Sequence, residues 1–151
     1  EECDQMIEIN LTGVYNVSRA VAPEMIAKGG GRIVNISSMA GRNISFLADA
    51  SYTASKWGVI GLTKHMAWDL GPDGITVNAV CPGPTMTDMV RSNVDPDVLE
   101  RTVGRIPVGR LADPEDQANA VLFLISDRGS YFNGAVLDVD GGLYLSTRGD
   151  I

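Results

Sequence analysis

Two cysteines and one histidine are all the thiol and imidazole chemistry in a chain of 151 residues. Cys3 and Cys81 show no CxxC spacing and no paired framework, which excludes a disulfide scaffold and fits reduced thiols in a cytosolic protein. His65 lies in LTKHMAW with no second candidate ligand and no HExxH, so no zinc site is expected; it reads as a helix-surface or interface residue. Positive charge is scarce as well: 12 basic residues face 19 acidic ones, a formal charge of −7. That balance argues against nucleic acid or an anionic membrane surface as the main partner. Hydrophobic residues make up 44% of the chain, yet no run is long and apolar enough to cross a bilayer. The acidic start EECDQ lacks the features of a signal peptide. A G-x-G-x-x-G turn between a strand and a helix is missing too. Gly29-Gly30-Gly31 leads from a helix into a strand, the wrong order for cradling a phosphate.

What is present has a clear order. Met6, Ile9, Gly13, Val14, Val17, Val21 and Met25 recur at helical spacing and predict a long helix over 3–28, with a kink expected at Pro23. The triple glycine ends it. RIVNIS (32–37) reads as a short strand, 38–49 as a polar loop, and 51–70 as a second helix stopped by Gly71-Pro72-Asp73-Gly74. ITVNAV (75–80) is another strand, followed by the rigid loop Cys81-Pro82-Gly83-Pro84. One or two short helices are expected within 85–112. Asp113-Pro114-Glu115 then opens a further helix to about Ser126, with Asp as N-cap, Pro at the first position and acid in the first turn. AVLDVDGG (135–142) is the last strand. Strands joined by helix-length connections require crossovers, hence a parallel sheet with helices on its faces. Ligands on such sheets sit outside the carboxyl ends of the strands. Ser37-Ser38 and Cys81-Pro82-Gly83 should therefore open onto one crevice. Three strands are few for this class. The missing Gly-rich unit and the abrupt start inside a helix predict the C-terminal part of a larger Rossmann-like, doubly wound α/β domain, without its N-terminal βαβ units.

Within SYTASK (51–56), Tyr52 and Lys56 stand at i and i+4 and share one helix face. Alone, such a pair is an ordinary surface couple whose stems cover apolar neighbours. Its company changes that reading: Ser38 follows one strand upstream, and Pro82-Gly83 follows the next strand downstream. With Asn10 in INLTGVYN, Ser38 in GRIVNISSMAG, YTASK, NAVCPGPTMTDM, GRLADPEDQANAVLFLISD and NGAVLDVDGG in order, the chain resembles the short-chain dehydrogenase/reductase family over essentially its whole length. The closest flavour is the classical type that includes 3-oxoacyl-carrier-protein reductases and many sugar and polyol dehydrogenases.

The resemblance implies roles residue by residue. Tyr52 matches the catalytic acid/base and, with Lys56, belongs to the cofactor-binding set. A free phenol, losing its proton near pH ~10, is a poor base at neutrality, and a neighbouring ammonium favours the phenolate. Lys56 supplies that charge and, in the family, also bonds the nicotinamide ribose hydroxyls. Ser38 matches the serine that hydrogen-bonds the substrate oxygen, with Ser37 the neighbouring alternative; the loop from Ser38 to Tyr52 is slightly longer than in the reductases it resembles. Asn10 matches the residue whose helix position holds a proton-relaying water. Pro82 and Gly83 match the turn beneath the nicotinamide, Thr85 the position whose backbone contacts the carboxamide, and Thr87 the neighbouring threonine contact. Pro84 stands where the family often has a bulky or branched residue. The region 85–112 matches the variable substrate lid, in which Met86, Met89 and Val90 are candidates to line an apolar pocket or simply to pack.

Two functions follow. One is an oxidoreductase, dependent on NAD or NADP, that interconverts an alcohol and a ketone of small-molecule size, cytoplasmic and assembled as a homodimer or homotetramer. The other is a non-catalytic fragment or assembly module lacking the dinucleotide-binding half, whose helices 3–28 and 51–70 would pair with another copy. The residue that distinguishes NAD from NADP in the family lies upstream of these blocks.

Overall fold

The structure, a computed structural model, describes residues 1–45 and 48–145. The chain opens on a continuous helical stretch: α1 (Glu2–Ile7), a π-helical segment (Glu8–Thr12) and α2 (Gly13–Ala27). The departure from α geometry therefore falls around Asn10. Pro23, where a kink was expected, lies inside α2, although its ring nitrogen cannot donate to the Arg19 carbonyl. A π segment inserts one residue into a turn, which no apolar periodicity announces. The buried face also differs from the expected stripe. Ser18 and Ala22 are buried and Met25 packs on the core, whereas Ile9, Val17 (65% exposed) and Val21 face outward.

Gly29 and Gly30 take the positive φ values that end α2, and β1 (Gly31–Ile36) follows. After a 3₁₀ turn at Met39–Gly41 comes α3 (Ala50–Leu70), then β2 (Ile75–Pro82), α4 (Asp88–Asn93), α5 (Pro96–Arg105), α6 (Pro114–Ile125) and β3 (Val136–Val139). The predicted capping of the last helix is present: Asp113 N-caps α6, and Asp116 returns a carboxylate to the Asp113 N–H at 2.8 Å. The last strand is shorter than 135–142. Asp140 ends it by turning its carboxylate back onto the N–H groups of Gly142 and Tyr144.

The sheet has the order β1-β2-β3 and both pairings are parallel, with Ile36 opposite Val80 and Pro82 opposite Val139. Burial on β2 runs through consecutive residues, so both of its faces are covered. Met66 and Ala67 of α3 pack on Ile33, Ile75 and Val77, joined by Met25, Leu62 and Leu70. Burial of each such branched side chain contributes roughly 1.5–3 kcal/mol. Two asparagines fasten β2 to the segment before β3. Buried Asn78 donates to the Phe132 carbonyl and accepts from Ala135 N–H, while Asn133 accepts from Val77 N–H and donates to the Ala67 carbonyl.

Candidate active site

The carboxyl ends of β1 and β2 open onto one cavity of about 590 Å³, as the parallel-sheet rule requires. Ser38, Tyr52, Pro82 and Gly83 all line it. Strand alternation explains which serine does so. Ile33, Asn35 and Ser37 are buried on one side of the chain, so Ser38 falls to the other. The Ser37 hydroxyl instead donates to the Lys56 carbonyl at 2.9 Å, riveting α3 to the end of β1. A Cβ on Gly41 would lie 2.5 Å from that hydroxyl and 2.7 Å from the Lys56 carbonyl, so only glycine permits this approach. The Ser38 oxygen accepts from Ala40 N–H at 3.1 Å, leaving its own proton to donate into the cavity.

Asp49 sets the start of α3. Its carboxylate accepts from Tyr52 N–H at 2.9 Å and from the Ser51 hydroxyl at 2.7 Å, and the Tyr52 backbone bond chiefly holds the carboxyl below its ordinary range. One turn on, the Lys56 ammonium stands 5.6 Å from the centroid of the Tyr52 ring and donates to the Ile36 carbonyl at 3.1 Å. The Tyr52 hydroxyl itself bonds no protein group among the described residues. Asn10, from the π segment, reaches the same turn from behind: its amide donates to Ser55 Oγ at 3.2 Å, and Ser55 donates to the Tyr52 carbonyl at 2.7 Å. Asn10 is thus one residue removed from Lys56 and does not touch its ammonium.

Burial pushes the Lys56 ammonium below the ordinary lysine range. A lysine depressed in the fold binds fewer protons there than in the unfolded chain, so stability rises with pH between the depressed value and the unfolded value near ~10.4. Urea midpoints measured from pH 7 to pH 10 should therefore climb for the native sequence relative to Lys56→Met. A constant difference across that range would show that the ammonium is not desolvated. Burial likewise raises the thiol of Cys81, which sits at the end of β2 beside Ser37.

Of the turn residues, Gly83 runs so close to β3 that an added Cβ would meet Asp140 Cα and Cβ at 2.6 Å. Thr85 bonds the Gly83 carbonyl through its hydroxyl at 3.0 Å and pairs with Ala112, while its own N–H meets no acceptor among the described residues. Gln117 braces this turn, its amide nitrogen donating to the Val139 carbonyl at 2.9 Å. Thr87 serves as N-cap of α4, accepting from Val90 N–H at 3.3 Å. Met86, Met89 and Val90 do not line the cavity, and Met89 is exposed, because α4 is too short to turn an apolar face inward. That wall comes from α5, through Val98, Arg101, Thr102 and Arg105, together with Tyr144 beyond β3.

The Thr85 N–H, unpartnered among the described residues, and the remaining donors of Lys56 suit the nicotinamide end of a dinucleotide: an amide N–H for a carboxamide oxygen, an ammonium for ribose hydroxyls. A family model described as enoyl-(acyl carrier protein) reductase matches residues 1–144. A 3α-hydroxysteroid dehydrogenase of Mediterraneibacter gnavus is 47% identical over 144 residues, covering 93% of this chain and 56% of its own. A crystal structure of a 3-oxoacyl-(acyl-carrier protein) reductase from Brucella melitensis superposes with a TM-score of 0.91 at 42% identity, over 95% of this chain and 53% of that one. A second reductase structure from that organism, with bound NAD, gives 0.87 at 40% identity, over 95% and 52%. The chain thus spans about half the length of the relatives it matches.

Proposed function

Because the chain belongs to the short-chain dehydrogenase/reductase family, we propose that the complete protein interconverts an alcohol and a ketone with NAD or NADP. The carrying observation is the stacking of Lys56 over Tyr52 on one face of α3, with Ser38 on the same cavity. In the reducing direction, Ser38 donates a hydrogen bond to the carbonyl oxygen and Tyr52 delivers the proton that oxygen takes up. Lys56 steadies the phenolate left behind, and its fixed bond to the Ile36 carbonyl holds it in place to do so. When bound, the dinucleotide supplies the hydride to the carbonyl carbon or removes it in the reverse direction. Pro82 and Gly83 line the cavity at that end, the Thr85 backbone follows directly behind them, and Thr87 caps the helix that comes next. Asn10 acts from behind, through Ser55, on the backbone of the turn that carries Tyr52.

Residues 1–151 are read as the carboxyl-terminal portion of one such domain, with 85–112 as the substrate lid. The outward apolar row of Ile9, Val17 and Val21, with Trp68 82% exposed on α3, supports assembly of copies into a homodimer or homotetramer. Two free thiols, Cys3 and Cys81, suit a cytoplasmic setting. The complete protein should consume NADH or NADPH only when a ketone is added, with saturation in both. No ketone-dependent consumption of either nucleotide across a panel of aliphatic, cyclic and acyl-thioester ketones would overturn the assignment.

A further inference from the structure

Every charged residue among the described ones that line the cavity is cationic. Among its described lining residues only Arg101 and Arg105 bear charge, in a chain whose acids outnumber its bases 19 to 12. Both stand on α5, where Val98, Arg101, Thr102 and Arg105 fall at i, i+3, i+4 and i+7 and so share one face. The acids of that helix, Asp97 and Glu100, are not among the lining residues. Arg101 makes no ion pair or hydrogen bond among the described residues, so its guanidinium is not spent on a structural contact. Arg105 lies in the last turn of α5, where a cation also complements the helix dipole; that accounts for one arginine and not for the other.

We infer that Arg101 and Arg105 select substrates bearing an oxoanion, a carboxylate or a phosphate ester, held at the α5 rim while the carbonyl meets Ser38 and Tyr52. The inference rests on the oxidoreductase reading above and adds the substrate class. A planar guanidinium offers paired donors that match an oxoanion, and Arg105, one turn beyond Arg101, adds a second positive charge to the same rim. The apolar stretch between, from Val98 and Pro84, suits the carbon chain that separates the two polar ends.

The test compares the complete protein on oxo acids from 4-oxopentanoate to 7-oxooctanoate with their methyl esters, and on dihydroxyacetone phosphate with dihydroxyacetone. At the best chain length kcat/KM should favour the anion by ~10-fold or more, equivalent to about 1.4 kcal/mol. The preference should fall as salt is raised. Arg101→Gln should cut the ratio, chiefly through KM for the anion, and Arg101→Gln with Arg105→Gln should bring it near unity; Arg101→Lys should restore part of it. Preference in the carboxylate arm alone, or in the phosphate arm alone, identifies the oxoanion. Equal rates for anion and neutral partner in both arms, or a preference that survives the double variant, overturns the inference while leaving the oxidoreductase assignment standing. If no ketone is turned over, binding of 7-oxooctanoate read by intrinsic tryptophan fluorescence decides alone. Saturation that the double variant abolishes supports the arginine site and sinks the assignment; no saturation sinks both.

Discussion

Tyr52→Phe should lower kcat of the complete protein by roughly 10²–10⁴-fold while leaving its thermal midpoint almost unmoved. The two halves of that expectation come from one observation. The Tyr52 hydroxyl faces the cavity and bonds no protein group among the described residues, so its removal orphans no buried partner. The phenyl ring remains for the Lys56 ammonium to stack on, and the Ile36 carbonyl still holds that ammonium, so the variant keeps its geometry and loses only the transferable proton. Nucleotide affinity should change by no more than about twofold, since the ribose and carboxamide contacts are assigned to other groups. Steady-state kinetics with a nucleotide-binding titration checks all three. Near-normal turnover would remove Tyr52 from the chemistry.

Asn78→Ala is expected to do the reverse, costing stability of about 3 kcal/mol while leaving every cavity-lining side chain intact. Asn78 is fully buried, and its amide satisfies the Phe132 carbonyl at 2.8 Å and the Ala135 N–H at 3.0 Å. Alanine strands both backbone groups and leaves a small void beside them. For a chain of this size the loss corresponds to a fall of roughly 10 °C in the thermal midpoint. Asn93→Ala is the contrast: that amide donates to the Met89 carbonyl on an exposed helix end, where water replaces it, and the change should lie within about 0.5 kcal/mol. Parallel melts of the two variants give the answer, and equal midpoints would show that the Asn78 clasp is not a structural weld.

Much of this fold is written in local chemistry. Asp113 and Pro114 start a helix because capping and a fixed φ are properties of those residues themselves. Tyr52 and Lys56 share a face because any helix places i and i+4 together. The parallel sheet follows from strands separated by helices, and the common crevice follows from the sheet. What escaped was whatever depends on a distant partner. The π segment around Asn10 coincides with its contact to Ser55, 45 residues away, and nothing in INLTGVYN encodes that distance. The wrong face of α2 was expected inside, since Val17 and Val21 are more apolar than Ser18 and Ala22, yet the small residues are the ones buried. On the lid, Met86 and Met89 are apolar by type yet do not line the cavity. The spacing of Val98, Arg101, Thr102 and Arg105 was visible too, but a helix face acquires a meaning only once the element opposite it is known. Ser37 against Ser38 is the instructive middle case: alternation from Ile33 and Asn35 would have decided it, because the strand continues its pleat to the residue where it ends.

The all-parallel order of the sheet also bears on how the chain reaches this structure. No two of its strands form a hairpin, so no pairing can assemble before a helix-bearing connection has closed. The contacts that weld β2 to the approach of β3, Asn78 to Phe132 and Val77 to Asn133, join residues 54 and 56 positions apart. The chain surrenders that loop entropy before any of these bonds forms, which places the sheet late and makes folding slow for its size. During that wait the apolar β1 sequence RIVNI and the β2 sequence ITVNAV are both exposed as unpaired strands, the form in which a polypeptide pairs with other copies of itself. Yield on refolding should thus be governed by concentration and temperature during those first moments rather than by the stability of the finished fold.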